Sequence, residues 1–253
     1  MTLLDAVLIV AAGLAAGTIN AVVGSGSLIT FPALLALGYP PLVANVSNNI
    51  GLVPGSISGA WGYRRELADT GPVLRRLLPW CAAGGALGSS LLLLLPARVF
   101  ESVVVVLIAL ALLLVVLQPR LAARLRTRAP LHEANRARTV ALVIGLFGAS
   151  VYGGYFGAAQ GVIYLALLSL LLVEDLQVAN AIKNVLATVV NGVAAVLFMV
   201  FAHPDWAVVG LIALGAVVGG QLGAKVGRRL PPAALRVVIV VVGVAAIVKV
   251  VAG

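Results

Sequence analysis

A lysine inside a long apolar run is the side chain best placed to do chemistry in this sequence. Lys183 occurs in the segment VANAIKN at 178–184, and the related segment VANVSNN at 43–49 has Asn48 in its place. An ammonium within a bilayer costs at least ~2.5 kcal/mol, and such residues usually mark the path of a substrate or ion. Lys183 therefore predicts a charge partner for an anion. One alternative stays open: its stem is long enough to carry the ammonium to the inner membrane interface.

Both segments also carry a stripe of three polar residues spaced i, i+4 and i+11, which lie within about 40° of one another on a helix. The stripes are Asn180, Asn184 and Asn191 in the second half and Asn45, Asn49 and Ser56 in the first. We predict that the five asparagines donate hydrogen bonds to a bound anion. The alternative is that they join helices to one another, which is common in membranes.

A glycine-rich break precedes each of these helices, at 24–27 (GSGS) and 157–161 (GAAQG). Unwound backbone at membrane depth is tolerated only where it is buried in protein or lines a cavity. The helix that restarts after such a break presents free N–H groups, which favour an anion. We therefore predict that Ser25, Gly26, Gln160 and Gly161 lie at the tips of two broken hairpins and contribute to the site.

Groups that would support catalysis or metal binding are missing from the apolar runs. The histidines, His132 and His203, fall in predicted loops, and the eight carboxylates fall at run ends or in loops: Asp5, Glu66, Asp69, Glu101, Glu133, Glu174, Asp175 and Asp205. Cys81 is the only cysteine. We expect no catalytic residue, no metal site and no cofactor.

The composition is that of an integral membrane protein. The 253 residues are 62% hydrophobic and 10% charged, against roughly 25% charged in soluble domains. The net charge of +9 comes from arginines beside apolar runs, a pattern that orients membrane helices and does not indicate nucleic-acid binding. Because the runs lack the alternation of barrel strands, we predict an all-α polytopic fold in a lipid bilayer.

The two halves align without a gap at an offset of 135 residues. Gly13 then meets Gly148, Asn49 meets Asn184, and GGALG at 84–88 meets GGQLG at 219–223. This predicts a first membrane repeat over 1–118, a basic cytoplasmic linker over 119–138 and a second repeat over 139–253. The glycines of the GGxLG segments have the spacing of close helix packing.

The elements that position the site follow from the apolar runs, at 5–23, 28–38, 42–62, 77–95, 99–117, 139–157, 161–173, 177–202, 206–226 and 233–251. Runs 28–38 and 161–173 are too short to span at 1.5 Å per residue. With the arginine-rich loops inside and AHPDW (202–206) outside, each half becomes a re-entrant broken hairpin plus three crossings. An odd number of crossings inverts the second repeat and leaves both termini external. Full spans at 5–23 and 139–157 would place Arg228 and Arg229 outside.

The segment GSGSLITFPALLALG (24–38), the Ala-Asn helix after it and their duplicate around YGGYFGAAQGVIYLALLSLLL resemble the TauE/SafE sulfite-exporter family. The resemblance covers essentially the whole chain. It implies a permease of the bacterial cell inner membrane whose substrate is a small sulfur-containing anion such as sulfite, sulfoacetate or a related organosulfonate. Where members often have a longer glycine run, this chain has GSGS and GAAQG, so Ser25 and Gln160 add side-chain donors.

The function expected is transport of a small anion by alternating access between inverted repeats. The alternatives are an anion channel, or a membrane subunit whose polar stripes are packing contacts; a membrane enzyme would need catalytic groups that the runs lack. Direction, coupling ion and oligomeric state, a homo-oligomer included, stay open.

Overall fold

The structure is a computed structural model that describes residues 1–126, 136–172, 175–226, 237, 239–241 and 244, with only the backbone of 118–126 and Val226. Within these ranges the regular structure is helical and contains no strand. The helices are α1 (Leu3–Val22), α2 (Ser27–Ala36), α3 (Pro41–Gly62), α4 (Gly71–Leu94), α5 (Ala97–Arg126), α6 (Arg136–Tyr155), α7 (Gln160–Leu171), α8 (Leu176–Phe201) and α9 (Trp206–Val226). The all-α membrane fold expected from the sequence is confirmed.

Six of the described helices are long and apolar enough to cross a membrane: α1, α4, the Ala97–Leu117 part of α5, α6, α8 and α9. Helices α2 and α7 are short, with 10 and 12 residues. Helix α3 has 22 residues but is less apolar because its middle carries asparagines and serines. Since α1 and α6 meet the length requirement for a full crossing, their re-entrant course stays a prediction.

Nine of the ten predicted apolar runs correspond to helices, with two large differences. Helix α4 begins at Gly71, well before its predicted run at 77–95. The run predicted to end at 117 continues as α5 to Arg126, and α6 begins at Arg136. Alanine, leucine and arginine are good helix formers, so a helix can continue past its apolar part. The run at 233–251 lies largely outside the described residues, as do His132, Glu133 and Glu174.

The helix contacts show an internal symmetry, in which a contact between helices of the two halves recurs between the corresponding helices. At the 135-residue offset, α1, α2, α3 and α4 correspond to α6, α7, α8 and α9. Helix α1 packs on α9 as α6 packs on α4, and α3 packs on α9 as α8 packs on α4. The two corresponding helices α3 and α8 also pack on each other. The opposite orientation of the halves in a membrane stays a prediction.

The GGxLG segments lie where these helix pairs pack closely. A Cβ at Gly84 would lie 2.6 Å from the Ser150 Cβ on α6, and one at Gly223 would lie 2.6 Å from the Thr18 oxygen on α1. Neither site can accept a side chain unless the helices separate. The prediction that these glycines serve close helix packing is confirmed.

An aromatic cluster supports the region where α6 ends. Phe31 of α2 stands edge-on to Phe156, with ring centroids 5.3 Å apart, and Phe100 of α5 lies 6.2 Å from Phe156. All three rings are buried. Edge-to-face pairs of this kind stabilise by ~1 kcal/mol beyond burial of their area, so the break after α6 is held in a fixed position.

Candidate functional site

The carboxyl-terminal end of α1 receives the ammonium of Lys183. Its Nζ donates to the main-chain oxygens of Asn20 (3.1 Å) and Ala21 (3.3 Å). Lys183 is 0% exposed. The side chain therefore does not reach an interface, and the alternative that it snorkels is wrong. A cation at this position is favoured by the negative end of the α1 dipole.

Two asparagines of α8 donate to the same end of α1. The Nδ2 atoms of Asn180 and Asn184 each lie 3.1 Å from the Ala21 oxygen. Their i and i+4 positions, with Lys183 at i+3, bring the three side chains to one face of α8. In this conformation each amide donates one hydrogen to the protein backbone, and its predicted contact with an anion would use the second hydrogen.

The end of α6 is the counterpart of this arrangement, without the charge. Asn45 of α3, which corresponds to Asn180, donates from Nδ2 to the Tyr155 oxygen at 3.1 Å. Asn48 corresponds to Lys183, but its side-chain oxygen accepts from the Thr30 hydroxyl of α2. Asn49 lies beside Gly157, with its Nδ2 3.7 Å from where a Gly157 Cβ would stand.

The two glycine-rich breaks contact each other at the centre of the molecule. The Gly161 N–H donates to the Gly24 oxygen at 3.1 Å, and a Cβ on Gly24 would lie 2.5 Å from the Gly161 Cα. Gly24 also has a φ of +84°, and Gly157 one of +79°, a region in which glycine carries no steric cost. Glycine is thus required at position 24 for both reasons and at position 161 for the close approach.

The other predicted tip residues have different surroundings. Gln160 donates from Nε2 to the Tyr164 hydroxyl at 2.8 Å, and that hydroxyl lies 2.5 Å from the Ser150 Oγ. A Cβ on Gly26 would overlap the backbone of Ala16, so Gly26 permits α2 to lie against α1. Ser25 is 0% exposed, and its Oγ has no hydrogen-bond partner among the described residues.

Five buried oxygens of α3, α6 and α8 lack a donor within the described ranges. They are the Oδ1 atoms of Asn45, Asn49, Asn180 and Asn191, together with the Tyr152 hydroxyl. Buried polar atoms are nearly always hydrogen-bonded to protein or to ordered water, so these oxygens are available to water or to a bound group. Asn191 is 8% exposed, and its counterpart Ser56 accepts from the Asn20 Nδ2 at 3.1 Å.

The charge at this centre is positive. Helices α1 and α6 end there and α2 and α7 begin there, so two negative and two positive dipole ends largely cancel. None of the carboxylates whose side chains the structure describes is buried. Among the described side chains near these four helix ends, the Lys183 ammonium therefore leaves a net charge of about +1.

Sequence reasoning missed Asn20, Ala21 and Thr30. They are the hydrogen-bond partners of Lys183, Asn180 and Asn48. Asn20 carried a usable signal, since it is a polar residue at the end of an apolar run and just before a glycine break. Ala21 carried none, because only its backbone oxygen takes part.

Comparison with known proteins assigns the family. The family model described as "Sulfite exporter TauE/SafE" matches residues 9–250 of the chain. The chain belongs to this family. The expectation drawn from the glycine-rich segments is confirmed, and the TauE/SafE chain described here is a membrane transporter and not an enzyme.

Curated relatives agree with this assignment. A "Probable membrane transporter protein" of Haemophilus influenzae is 29% identical over 216 residues, which cover 84% of this chain and 81% of that protein. "Probable membrane transporter protein YfcA" of Escherichia coli is 28% identical over 218 residues, covering 85% and 76%. "Probable membrane transporter protein ORF9" of Sinorhizobium sp is 27% identical over 242 residues, covering 94% and 88%. No solved structure matches the chain.

Proposed function

We propose that this TauE/SafE transporter carries a small anion, sulfite or an organosulfonate, across the bacterial inner membrane by alternating access. The observation that carries the proposal is the buried Lys183 ammonium, which contacts main-chain oxygens and no carboxylate of the described chain. A buried cation without a counter-ion is costly, and an anion bound beside it offsets that cost.

The geometry around Lys183 leaves donors for such an anion. An ammonium has three hydrogens, and two of them have acceptors at Asn20 and Ala21. The Ser25 hydroxyl is buried without a partner in the described ranges, and we assign the Asn49 and Asn191 amides of the two polar stripes with it as further donors. A sulfite or sulfonate group presents three oxygen acceptors, which these N–H and O–H groups could bind from several directions. The choice of a sulfur anion rests on the family description.

Alternating access is supported by how the halves contact each other. The breaks touch through Gly24 and Gly161, and the α3–α8 pair lies between the two halves. If the two halves alternate between two packings across this interface, the site opens to one side of the membrane at a time, as in transporters built from inverted repeats. An inside-negative potential contributes ~2.3 kcal/mol per charge per 100 mV toward moving an anion outward.

Counterflow in proteoliposomes tests the proposal. Vesicles loaded with unlabelled sulfite and diluted into radiolabelled sulfite should accumulate label transiently and saturably, because a carrier exchanges one anion for another. A channel would equilibrate label without accumulation, and a non-transporting subunit would match empty liposomes; either result contradicts the proposal. Sulfoacetate, sulfate and acetate as competitors then define the substrate class.

A further inference from the structure

The ends of α1 and α6 are corresponding positions that carry different charges. The end of α1 receives an ammonium and two amides, from Lys183, Asn180 and Asn184. The end of α6 receives the single amide of Asn45 at the Tyr155 oxygen. The partial negative charge at a helix carboxyl end is roughly half a charge, and at α6 no cationic side chain of the described residues offsets it.

Two amide oxygens beside the end of α6 are buried without a donor. Asn45 is 2% exposed and Asn49 is 6% exposed, and the Oδ1 of each has no partner among the described residues. The orientation of Asn45 is set by its Nδ2 bond to Tyr155, so its oxygen cannot be exchanged for nitrogen by a flip. The Ser27 hydroxyl lies 3.7 Å from the Cβ position of Gly157, and the Asn49 Nδ2 lies at the same distance from that position.

We propose that a small monovalent cation, Na⁺ in the first instance, binds beside the carboxyl end of α6. Its ligands are the Oδ1 atoms of Asn45 and Asn49 and main-chain oxygens of the last turn of α6. Half-helix carboxyl ends and unwound carbonyls coordinate Na⁺ in other transporters built from repeats. These oxygen ligands carry no formal charge, and the described residues contain no cluster of three His, Cys, Asp or Glu side chains. A divalent ion would ordinarily require one or two carboxylates.

The cation occupies the position that corresponds to the Lys183 ammonium, so the two halves present one fixed and one exchangeable positive charge. An anion between them would interact favourably with both, and its binding would be coupled to that of the cation. This coupling rests on the proposed function, whereas cation binding itself does not. The asymmetry between Lys183 and Asn48 then has a physical basis: the second charge is supplied from solution.

Thermal unfolding of the purified full chain in detergent tests binding without any substrate. Sodium chloride is titrated against choline chloride at constant ionic strength. The wild-type unfolding midpoint should rise saturably with Na⁺, since a ligand bound only by the folded state stabilises it. Lys183→Met should keep this response. A wild-type midpoint that is equal in Na⁺ and choline at all concentrations overturns the proposal and leaves water as the partner of the amide oxygens.

Asn48→Lys places an ammonium at the position corresponding to Lys183, within reach of the α6 end, and should abolish the Na⁺ response. Asn48→Ala is the matched control, because it also removes the bond to Thr30 but adds no charge; its Na⁺ response should persist. An undiminished response in Asn48→Lys contradicts the proposed position.

A second variant keeps the test decisive if Asn48→Lys does not fold. Asn49→Asp adds a carboxylate to the ligand set and should tighten Na⁺ binding by about tenfold or more. Unchanged or weaker affinity in a folded Asn49→Asp protein overturns the assignment of Asn49 as a ligand. Saturable Na⁺ binding together with failed sulfite counterflow would refute the proposed function and leave the cation site standing.

Discussion

Replacing Lys183 by methionine removes the charge of the proposed anion site and nearly preserves the volume of the side chain. At a separation of about 4 Å and an effective dielectric constant of about 20, an ammonium and a monovalent anion attract by about 4 kcal/mol. Loss of that attraction corresponds to about a thousandfold weaker binding. We therefore expect Lys183→Met to lose measurable affinity for sulfite.

The same substitution should leave the protein folded. Removing a buried ammonium relieves its desolvation cost. The Ala21 oxygen keeps two donors, from Asn180 and Asn184, and only the Asn20 oxygen loses its partner. Because these effects oppose each other, the free energy of unfolding should change by no more than about 2 kcal/mol.

The assay is the unfolding midpoint of purified protein titrated with sulfite in chloride-free buffer. Lys225→Met is the matched control, since Lys225 is exposed in the last turn of α9 and its removal changes the net charge equally. Wild type and Lys225→Met should be stabilised alike, and Lys183→Met should not respond. Equal stabilisation of all three proteins would refute the assignment of Lys183 as the charge partner.

Three further predictions concern packing, the hairpin tips and topology. Gly88→Ala should destabilise the folded protein by about 1–3 kcal/mol, because the new Cβ would overlap Val151. Gly192 faces open space, so Gly192→Ala should stabilise the folded protein by roughly 0.5–1 kcal/mol. Unfolding midpoints in the reverse order would contradict the helix packing described above. Gly24→Ala should impair sulfite uptake more than Gly38→Ala, since both glycines have positive φ but only Gly24 contacts Gly161. Equal uptake by the two variants would contradict a role for the Gly24–Gly161 contact in transport. In intact cells His203→Cys should react with an impermeant maleimide, and Arg65→Cys should react only after permeabilisation. The native Cys81 is buried and should not react. The reverse labelling would contradict the membrane orientation predicted from the arginines.

Much of the fold could be predicted because apolar runs and glycine breaks are local signals. The break after α1 was expected from GSGS, and α2 begins at Ser27. The burial of Lys183 was likewise expected from its apolar neighbours. The extension of α5 to Arg126 was not expected, because the runs were delimited by apolarity and arginine can continue a helix.

The partners of the site residues could not be predicted, since they depend on contacts between distant parts of the chain. Asn180 donates to Ala21, which is 159 residues away, and no pattern within α8 indicates a backbone oxygen on α1. Gln160 is different: Tyr164 lies four residues along the same helix, a spacing at which side chains meet. That pairing is predictable from the sequence alone.

The most direct test of the central claim is potential-driven uptake of radiolabelled sulfite into proteoliposomes by wild type and Lys183→Met. An inside-positive potential should drive saturable uptake by wild type, and the folded variant should show none beyond empty liposomes. Equal uptake by the two proteins would contradict a transport site centred on the Lys183 ammonium.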